Sequence, residues 1–186
     1  CGLDLKQFEG FRKHKHDFRS VLYVGRLVRY KGVQYLVEVL PKLNEDIVLE
    51  IVGKGSLKPL LERRAKKLNV SGRVRFYQNL PRSELIQKFI DADVFVLLSR
   101  HEAYSMAVAE ALAARTPCIV AKTSALIEWI DAKQCFGVEY PVEIGTLARL
   151  IEEVIERKVK IDRTKLRTDK FMDWDDVVTQ LEQIYR

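Results

Sequence analysis

The stretch from Ala92 to Ala121 constrains the fold most, because two continuous apolar runs in it flank a polar loop and an alanine-rich segment. The first run, Val94 to Leu98, is typical of a strand buried on both faces, as in parallel sheets covered by helices. The segment from Ala107 to Ala114 predicts a helix that stops before Pro117, with Ser105 in position to cap its start. The stretch therefore predicts a strand, a loop, a helix and a second strand.

The same alternation recurs along the whole chain. Apolar runs predict strands over 21–24, 47–52, 74–77, 94–98, 118–121 and 137–140, and helical periodicity predicts helices over 33–43, 57–68, 82–92, 107–114, 124–130, 144–158 and 173–185. Six strands alternating with helices imply a parallel sheet with right-handed crossovers, so we expect an α/β fold, a Rossmann-like three-layer sandwich. We expect residues 1–20 to form a connector, 21–160 the Rossmann-like domain and 161–186 a C-terminal helical extension.

Composition narrows the class of protein. With 186 residues, of which 47% are hydrophobic, the chain can bury the core of one domain. It contains no apolar run of the length, about 20 residues, that a transmembrane helix needs. Its cysteines Cys1, Cys118 and Cys135 fit neither a disulfide framework nor a metal-ligand spacing. We therefore expect a cytoplasmic protein.

The formal net charge of +6 attracts anions, but the basic residues are scattered and aromatic residues do not alternate with them. A solvated basic surface with a phosphate site accounts for this charge better than a nucleic-acid interface does. We therefore expect no nucleic-acid partner.

Two histidines, His14 and His16, stand out in the first 20 residues. No cysteine or acidic residue accompanies them at a metal-ligand spacing. We therefore expect no metal site.

Polar residues follow two of the predicted strands, at the edge where parallel sheets bind ligands. The N–H groups of the helix after Ser105 would favour a negative group such as phosphate there. Glu102 and Glu110 lie near the same mouth, and two carboxylates beside an anion site suit the hydroxyls of a sugar nucleotide. Arg26 and Lys31 flank the turn after the first strand. These residues fit two interpretations equally well, a ligand-binding turn and a tight turn with two solvated bases.

Gly53 and Gly55 follow the second strand as a Gly-x-Gly pair. The pair resembles half of a dinucleotide-binding fingerprint, but the third glycine and the ribose-binding acidic residue are absent. A nicotinamide dehydrogenase is therefore disfavoured.

An ordered set of short motifs covers essentially the whole chain. It comprises Val24-Gly25-Arg26, Lys31-Gly32, Val52-Gly53, Gly55, Val74-Arg75-Phe76, Ala92-Asp93-Val94, Ser99, Glu102, Glu110-Ala111, Pro117 and Glu128. Each motif alone is weak, but the ordered set closely resembles the C-terminal donor-binding domain of retaining GT-B-fold glycosyltransferases, that is, glycosyl transferases group 1, family four. The resemblance implies half of a GT-B fold.

The resemblance also implies roles for individual residues, without a metal or cofactor. Arg26 and Lys31 would hold the diphosphate of a UDP- or GDP-linked sugar and neutralise the departing nucleotide. Glu102 would accept hydrogen bonds from the donor sugar, which makes these three residues the catalytic candidates, and Glu110 would hold the ribose hydroxyls. The other implied donor-binding residues are Gly25, Gly53, Leu80 beside the base, and Tyr104, Ser105 and Met106 through their backbone amides.

The chain departs from the family where three glycine positions are replaced. Gln78 follows the third strand, Arg115 follows the central helix, and Ser124-Ala125 stands in place of a glycine pair. A non-glycine residue at positive φ costs about 1 kcal/mol. These changes leave the four charged site residues in place and concern chiefly the loop near the donor sugar.

The first four residues, Cys1-Gly2-Leu3-Asp4, resemble the family's signature at the hinge between its two domains. By this resemblance a separate N-terminal domain would bind a carbohydrate or lipid-linked acceptor, and the present chain alone would not transfer sugar. A lipid-linked acceptor would bring the full-length protein to the inner face of the membrane as a peripheral protein.

Two functional classes remain open on the sequence. The first is the donor half of a hexosyltransferase that transfers a hexose from a nucleotide diphosphate sugar with retention of configuration. The second is a non-catalytic nucleotide-sugar or anion-binding module. The charged positions favour the first class, and the glycine replacements favour the second.

Overall fold

The computed structural model describes residues 3–157 and 174–185. Its strands are β1 (Arg19–Val24), β2 (Ile47–Val52), β3 (Val74–Tyr77), β4 (Val94–Leu97), β5 (Cys118–Ala121) and β6 (Cys135–Val138). They form one parallel sheet in the order β3-β2-β1-β4-β5-β6. The predicted six-stranded parallel sheet is confirmed, and its strand order is that of a doubly wound, Rossmann-like fold.

Helices cover both faces of this sheet. The helices between the strands and directly after β6 are α1 (Val33–Val39), α2 (Lys58–Lys67), α3 (Arg82–Asp91), α4 (Met106–Ala113) and α5 (Ile144–Glu156), and a further helix, α6 (Trp174–Tyr185), follows later in the chain. Helix α1 packs against α2 and α5, whereas α3 packs against α4, as expected when right-handed crossovers place the two groups on opposite faces. The three-layer arrangement is therefore confirmed. No described helix is both long and apolar enough to cross a membrane.

The first part of the chain differs from the prediction at two element ends. Strand β1 begins two residues early, at Arg19, because it pairs with β2 along its whole length, starting from Arg19 opposite Ile47. Helix α1 ends at Val39 and continues as a 3-10 turn over Leu40–Lys42. Pro41 explains the change, because it has no N–H group to continue the α-helical hydrogen bonds.

Two later elements also differ. The helix predicted over 124–130 is a 3-10 turn, Ser124–Trp129. The last strand begins at Cys135, two residues before the predicted start at Gly137. Gly137 lies inside the strand, where it pairs with Val120 of β5. Residue 158 of the predicted long helix, residue 173 and the start of the predicted 161–186 extension lie outside the described residues.

A charged residue lies inside the buried strand β2. Glu50 is 2% exposed, and its carboxylate accepts hydrogen bonds from Lys88 Nζ at 2.7 Å, the Tyr77 hydroxyl at 2.8 Å and Ser20 Oγ at 2.9 Å. Burial acts to raise the pKa of Glu50, but the hydrogen bonds from Lys88 and Tyr77 outweigh it and hold that pKa below its ordinary value. Glu50 therefore joins β1, β2, β3 and α3 as an ionised carboxylate.

We expect Glu50→Ala to lower the free energy of unfolding by about 3 kcal/mol, because Lys88 loses its only carboxylate partner among the described residues. Urea denaturation measures the loss. The matched control is Asp46→Ala, which breaks a pair with Arg19 whose side chains are 29% and 46% exposed, and which should cost about 1 kcal/mol or less. Equal losses for the two variants would contradict the role of burial.

The pH dependence of the same variant has a defined sign. Because folding lowers the pKa of Glu50, its contribution to stability is complete above the unfolded pKa of about 4.3 and is lost as pH falls through the folded pKa. The difference in unfolding free energy between the wild type and Glu50→Ala should therefore be constant near neutral pH and shrink in acid.

Candidate functional site

The carboxyl ends of β1 and β4 meet where the strand order reverses. In open parallel sheets ligands bind in the crevice at such a switch point. The loop after β4 is tied to the turn after β1, because the N–H group of Arg100 donates to the Tyr30 carbonyl at 2.7 Å. The two loops therefore form one continuous surface.

Two glycines allow backbone segments at this edge to pack more closely than side chains would permit. Gly32 has φ = +73°, and a Cβ there would lie 2.1 Å from the Leu98 carbonyl oxygen. A Cβ on Gly53 would lie 1.9 Å from the carbonyl oxygen of Gly25. The structure thus brings the predicted residues Gly25 and Gly53 into contact and holds the three loops after β1, β2 and β4 together.

An ion pair joins two of the three catalytic candidates. Lys31 Nζ lies 2.5 Å from Glu102 Oε1, although the residues are 71 positions apart in the chain. Their side chains are only 15% and 11% exposed. Since water screens such a pair weakly, the attraction between the two groups is stronger than in an exposed pair. The structure therefore places a cation and a carboxylate side by side at the switch point.

The third candidate, Arg26, lies on the same turn and is exposed. Its guanidinium group donates to the hydroxyl of Tyr30. The Tyr30 ring centroid is 5.8 Å from the Arg26 guanidinium carbon and 5.6 Å from Lys31 Nζ. Two cations beside one aromatic ring can both reach a single group that carries two negative charges, such as a diphosphate.

Tyr23 supports this turn from inside the sheet. Its hydroxyl donates to the carbonyl of Arg26 at 2.8 Å. Burial, followed by the negative charge of Glu102, raises the pKa of Tyr23. Tyr23 therefore stays neutral and donates the hydrogen bond that holds the backbone of Arg26.

The loop from β4 to α4 ends at Ser105, and here the predicted side-chain cap is wrong. The Ser105 side chain makes no capping hydrogen bond, because its backbone is left-handed, with φ = +77°, whereas capping serines are typically extended. The first-turn N–H groups of α4 still lie at the carboxyl edge, where they favour anions. Met106, the first residue of α4, is exposed.

Tyr104 is held by the 3-10 turn that follows β5. The indole Nε1 of Trp129 donates to the Tyr104 carbonyl at 2.6 Å, and the two rings meet edge to face with centroids 5.1 Å apart. These contacts orient the backbone of the predicted donor-binding residues 104–106.

The replaced glycines have different consequences. Ser124 has φ = +40°, and its hydroxyl accepts a hydrogen bond from the Glu102 N–H group at 2.9 Å, so this replacement supports the Glu102 loop. Arg115 has φ = +66° at the exposed end of α4. After β3 the positive φ, +53°, falls on Asn79 and not on Gln78, and asparagine tolerates this conformation. The glycine replacements therefore leave the ion pair at the switch point in place.

Glu110 belongs to a second group of residues at the same edge. It lies on α4 and is paired with Arg82, the first residue of α3. Leu80, just before α3, packs against the core as a partly buried side chain. The structure thus brings the predicted residues Glu110 and Leu80 to neighbouring parts of the chain, because α3, which follows Leu80, packs against α4.

Sequence reasoning missed three residues of this edge: Tyr30, Arg82 and Ser124. Tyr30 directly precedes Lys31, so its position in a turn with two cations was a usable signal. Arg82 and Ser124 reach their partners across 28 and 22 residues, and no local pattern indicates those contacts.

Comparison with known proteins identifies the family of this chain. The family model for glycosyl transferases group 1 matches residues 6–170. An uncharacterised glycosyltransferase of Methanocaldococcus jannaschii is 28% identical over 176 residues, which cover 91% of this chain and 45% of that protein. A glycogen synthase of Mycobacterium tuberculosis is 31% identical over 175 residues, which cover 89% of this chain and 42% of that enzyme. The chain therefore spans less than half the length of these relatives.

Solved structures share the fold. Sucrose-phosphate synthase from Thermosynechococcus elongatus superposes with a TM-score of 0.86 and 25% identity, over all of this chain and 51% of that one. Anabaena HepE in complex with UDP-glucose superposes with a TM-score of 0.82 and 21% identity, over 99% of this chain and 54% of that one. Since the family model covers most of its length, the chain belongs to the glycosyl transferases group 1 family and has the Rossmann-like fold of one half of a GT-B enzyme.

Proposed function

We propose that this chain is the donor-binding half of a hexosyltransferase that transfers a hexose from a nucleotide diphosphate sugar with retention of configuration. The observation that carries the proposal is the largely buried pair between Lys31 and Glu102 at the switch point of the sheet. It places a phosphate-binding cation directly beside an acceptor for sugar hydroxyls. In a nucleotide diphosphate sugar, the phosphates that the cation would bind and the sugar hydroxyls that the carboxylate would bind lie next to each other.

The residues at this edge fit distinct parts of such a donor. Arg26 and Lys31 would hold the diphosphate and neutralise the charge that develops on the departing nucleotide, which is where fixed cations lower a transition-state barrier. Glu102 would accept hydrogen bonds from the sugar. The amides of residues 104–106, at the start of α4, would add donors for sugar and phosphate oxygens.

The other end of the donor would lie against the second group of residues. Glu110 would accept hydrogen bonds from the ribose hydroxyls, and the base would lie near Leu80. On this assignment Arg82 must exchange its contact with Glu110 when the ribose binds, because the two side chains are paired. We propose a UDP- or GDP-linked sugar as the donor and no metal or cofactor at the donor site. HepE bound to UDP-glucose supports the uridine form by fold similarity.

The whole protein is proposed to have a second domain that binds the acceptor. The relatives are more than twice as long as the part that this chain matches. Transfer between two sugars needs the reacting atoms about 3–3.5 Å apart, with water excluded. A cleft between two domains would satisfy both needs. We propose a carbohydrate or lipid-linked acceptor, and a lipid-linked one would bring the protein to the membrane surface.

The alternative, a non-catalytic module that binds nucleotide sugars, has less support. The sequence feature that favours a non-catalytic module is the replacement of glycines near the donor sugar. Ser124, however, hydrogen-bonds to the backbone of Glu102, and Asn79 takes the positive φ after β3. These observations favour a site that still holds a donor sugar.

The test of the proposed function is a transfer assay with radiolabelled UDP- and GDP-sugars and a panel of acceptors. The full-length protein should form an acceptor-dependent product whose anomeric configuration, measured by proton NMR, equals that of the donor. The 186-residue chain alone should bind donor and form no such product. Product from this chain alone would contradict the proposed second domain. Donor binding by the full-length protein without transfer to any acceptor would favour the non-catalytic module.

A further inference from the structure

The fold brings an acidic residue to the two histidines of the N-terminal segment. Asp91, the last residue of α3, lies with its Oδ2 atom 3.0 Å from His14 Nδ1 and 3.7 Å from His16 Nε2. One ligand atom from each of the three residues lies within 4.8 Å of the others. Because Asp91 is 77 positions from His14, the sequence alone could not indicate this cluster.

The carboxylate of Asp91 is oriented by contacts to its other oxygen. Oδ1 accepts hydrogen bonds from the backbone N–H group of His14 and from Gln87 Nε2, both at 2.8 Å. Gln87 is itself positioned, since Nε2 also donates to the Arg12 carbonyl at 2.9 Å. This leaves Oδ2 as the oxygen that faces both imidazole rings. Hydrogen bonds that fix a carboxylate in this way are typical of the surroundings of metal ligands.

The distances from Asp91 Oδ2 allow a direct hydrogen bond to His14 but not to His16, and the three ligand atoms are close enough together to share one metal ion. At 3.7 Å, His16 Nε2 is too far from Oδ2 to donate a hydrogen bond. Two ligands at about 2.0–2.1 Å from a tetrahedral ion lie about 3.3 Å apart, and the observed 3.0 and 3.7 Å fall on either side of this value. The His16 ring is also held by stacking on Phe18, with centroids 4.9 Å apart.

We propose that His14, His16 and Asp91 bind Zn²⁺. Two imidazoles and one carboxylate form a three-ligand set of the kind that binds zinc, with water at the fourth position. This site is separate from the switch point, because it lies at the amino ends of β1 and β4, before Arg19 and Val94.

The bound ion has a structural consequence. It adds a link between the segment before β1 and the end of α3, which are already joined by hydrogen bonds from the His14 N–H group to Asp91 and from Gln87 to the Arg12 carbonyl. Zinc that binds only the folded chain stabilises it by mass action. The site should therefore raise the thermal stability of the segment and of the sheet edge beneath it.

The test is calorimetric titration of Zn²⁺ into untagged protein, with Co²⁺ as a spectroscopic probe in a parallel titration. All proteins carry Cys1→Ser, so that the N-terminal thiol does not contribute. We expect one site per chain with a Kd of about 10 µM or lower, visible absorption bands of four-coordinate Co²⁺, and a higher melting temperature with zinc. His14→Ala/His16→Ala should weaken zinc binding at least about tenfold. Even the loss of a residue that only hydrogen-bonds to a metal ligand lowers metal affinity about 10–100-fold.

Two controls make the result specific. Lys15→Ala changes the exposed residue between the two histidines, and His101→Ala removes a histidine outside the cluster. Both variants should bind zinc as the wild type does and show the same rise in melting temperature. Equal zinc affinity in the wild type and the double histidine variant would overturn the proposal. The absence of binding to the wild type at a zinc concentration about 100 times the expected Kd of about 10 µM would also overturn it. His14 would then be only a hydrogen-bond partner of Asp91.

Discussion

Replacing Arg26 and Lys31 together by alanine is expected to weaken binding of UDP at least about 100-fold. Each charge-assisted contact to the diphosphate should contribute about 1.5–3 kcal/mol, and about 2.7 kcal/mol corresponds to a factor of 100. Loss of Lys31 also leaves Glu102 without the ammonium group that lies 2.5 Å away, so the remaining carboxylate repels the phosphates. Isothermal titration calorimetry measures the change.

Arg29→Ala is the matched control for this prediction. Arg29 is an exposed base between the two proposed phosphate ligands in the chain, so the variant removes one positive charge from the same turn. It is expected to keep nearly the affinity of the wild type, since a distant exposed charge is screened by salt. If Arg29→Ala weakened binding as much as Arg26→Ala, general attraction by a basic surface would explain the result.

The two glutamates are expected to respond differently to loss of charge. Glu110→Gln should weaken binding of free UDP about tenfold or more, because a carboxylate holds the ribose hydroxyls more strongly than an amide does. Glu102→Gln should not weaken binding of free UDP, because it also removes a negative charge beside Lys31, and should weaken only binding of the sugar-bearing donor. Calorimetry with UDP and with UDP-glucose separates the two effects.

The ion pair between Arg82 and Glu110 requires its own control. Arg82→Ala breaks the same pair but keeps the carboxylate. Since a pair with a partly exposed arginine contributes little, about 0–1 kcal/mol, this variant should retain most of the affinity for UDP.

Equal weakening of UDP binding in Glu110→Gln and Glu102→Gln would show that the roles given to the two carboxylates are wrong.

The sheet could be predicted from sequence because its strands are buried on both faces. Such strands are continuous apolar runs, and β2 and β3 were predicted with the bounds that the structure gives them, Ile47–Val52 and Val74–Tyr77. The predicted bounds were less accurate beside glycine and proline, because either residue can lie within an element or at its end. Gly137 lies within β6, whereas the apolar run predicts a strand that begins there, and Pro41 turns the end of α1 into a 3-10 turn.

The meeting of the candidate site residues could also be predicted, because parallel strands bring their following loops to one edge. Arg26, Lys31 and Glu102 were expected there, and the structure places them around one turn and one loop. The cap at Ser105 failed because residue type alone does not give the backbone angle, here φ = +77°.

Contacts between distant residues could not be predicted. Arg82 with Glu110, Ser124 with Glu102 and Asp91 with His14 join segments that are 28, 22 and 77 positions apart. Each contact depends on how a crossover returns the chain to the sheet, which periodicity does not encode. These three contacts belong to the proposed donor site and to the proposed zinc site.

The central proposal, that the carboxyl edge of the sheet binds a nucleoside diphosphate, is tested most directly by titrating UDP, GDP and ADP into the wild type and into Arg26→Ala/Lys31→Ala. We expect one site per chain in the wild type, with a Kd in the high micromolar range, about −5 to −6 kcal/mol. The double variant should show no measurable heat with the nucleotide that binds best. Equal affinity of the two proteins for every nucleotide would contradict the proposal.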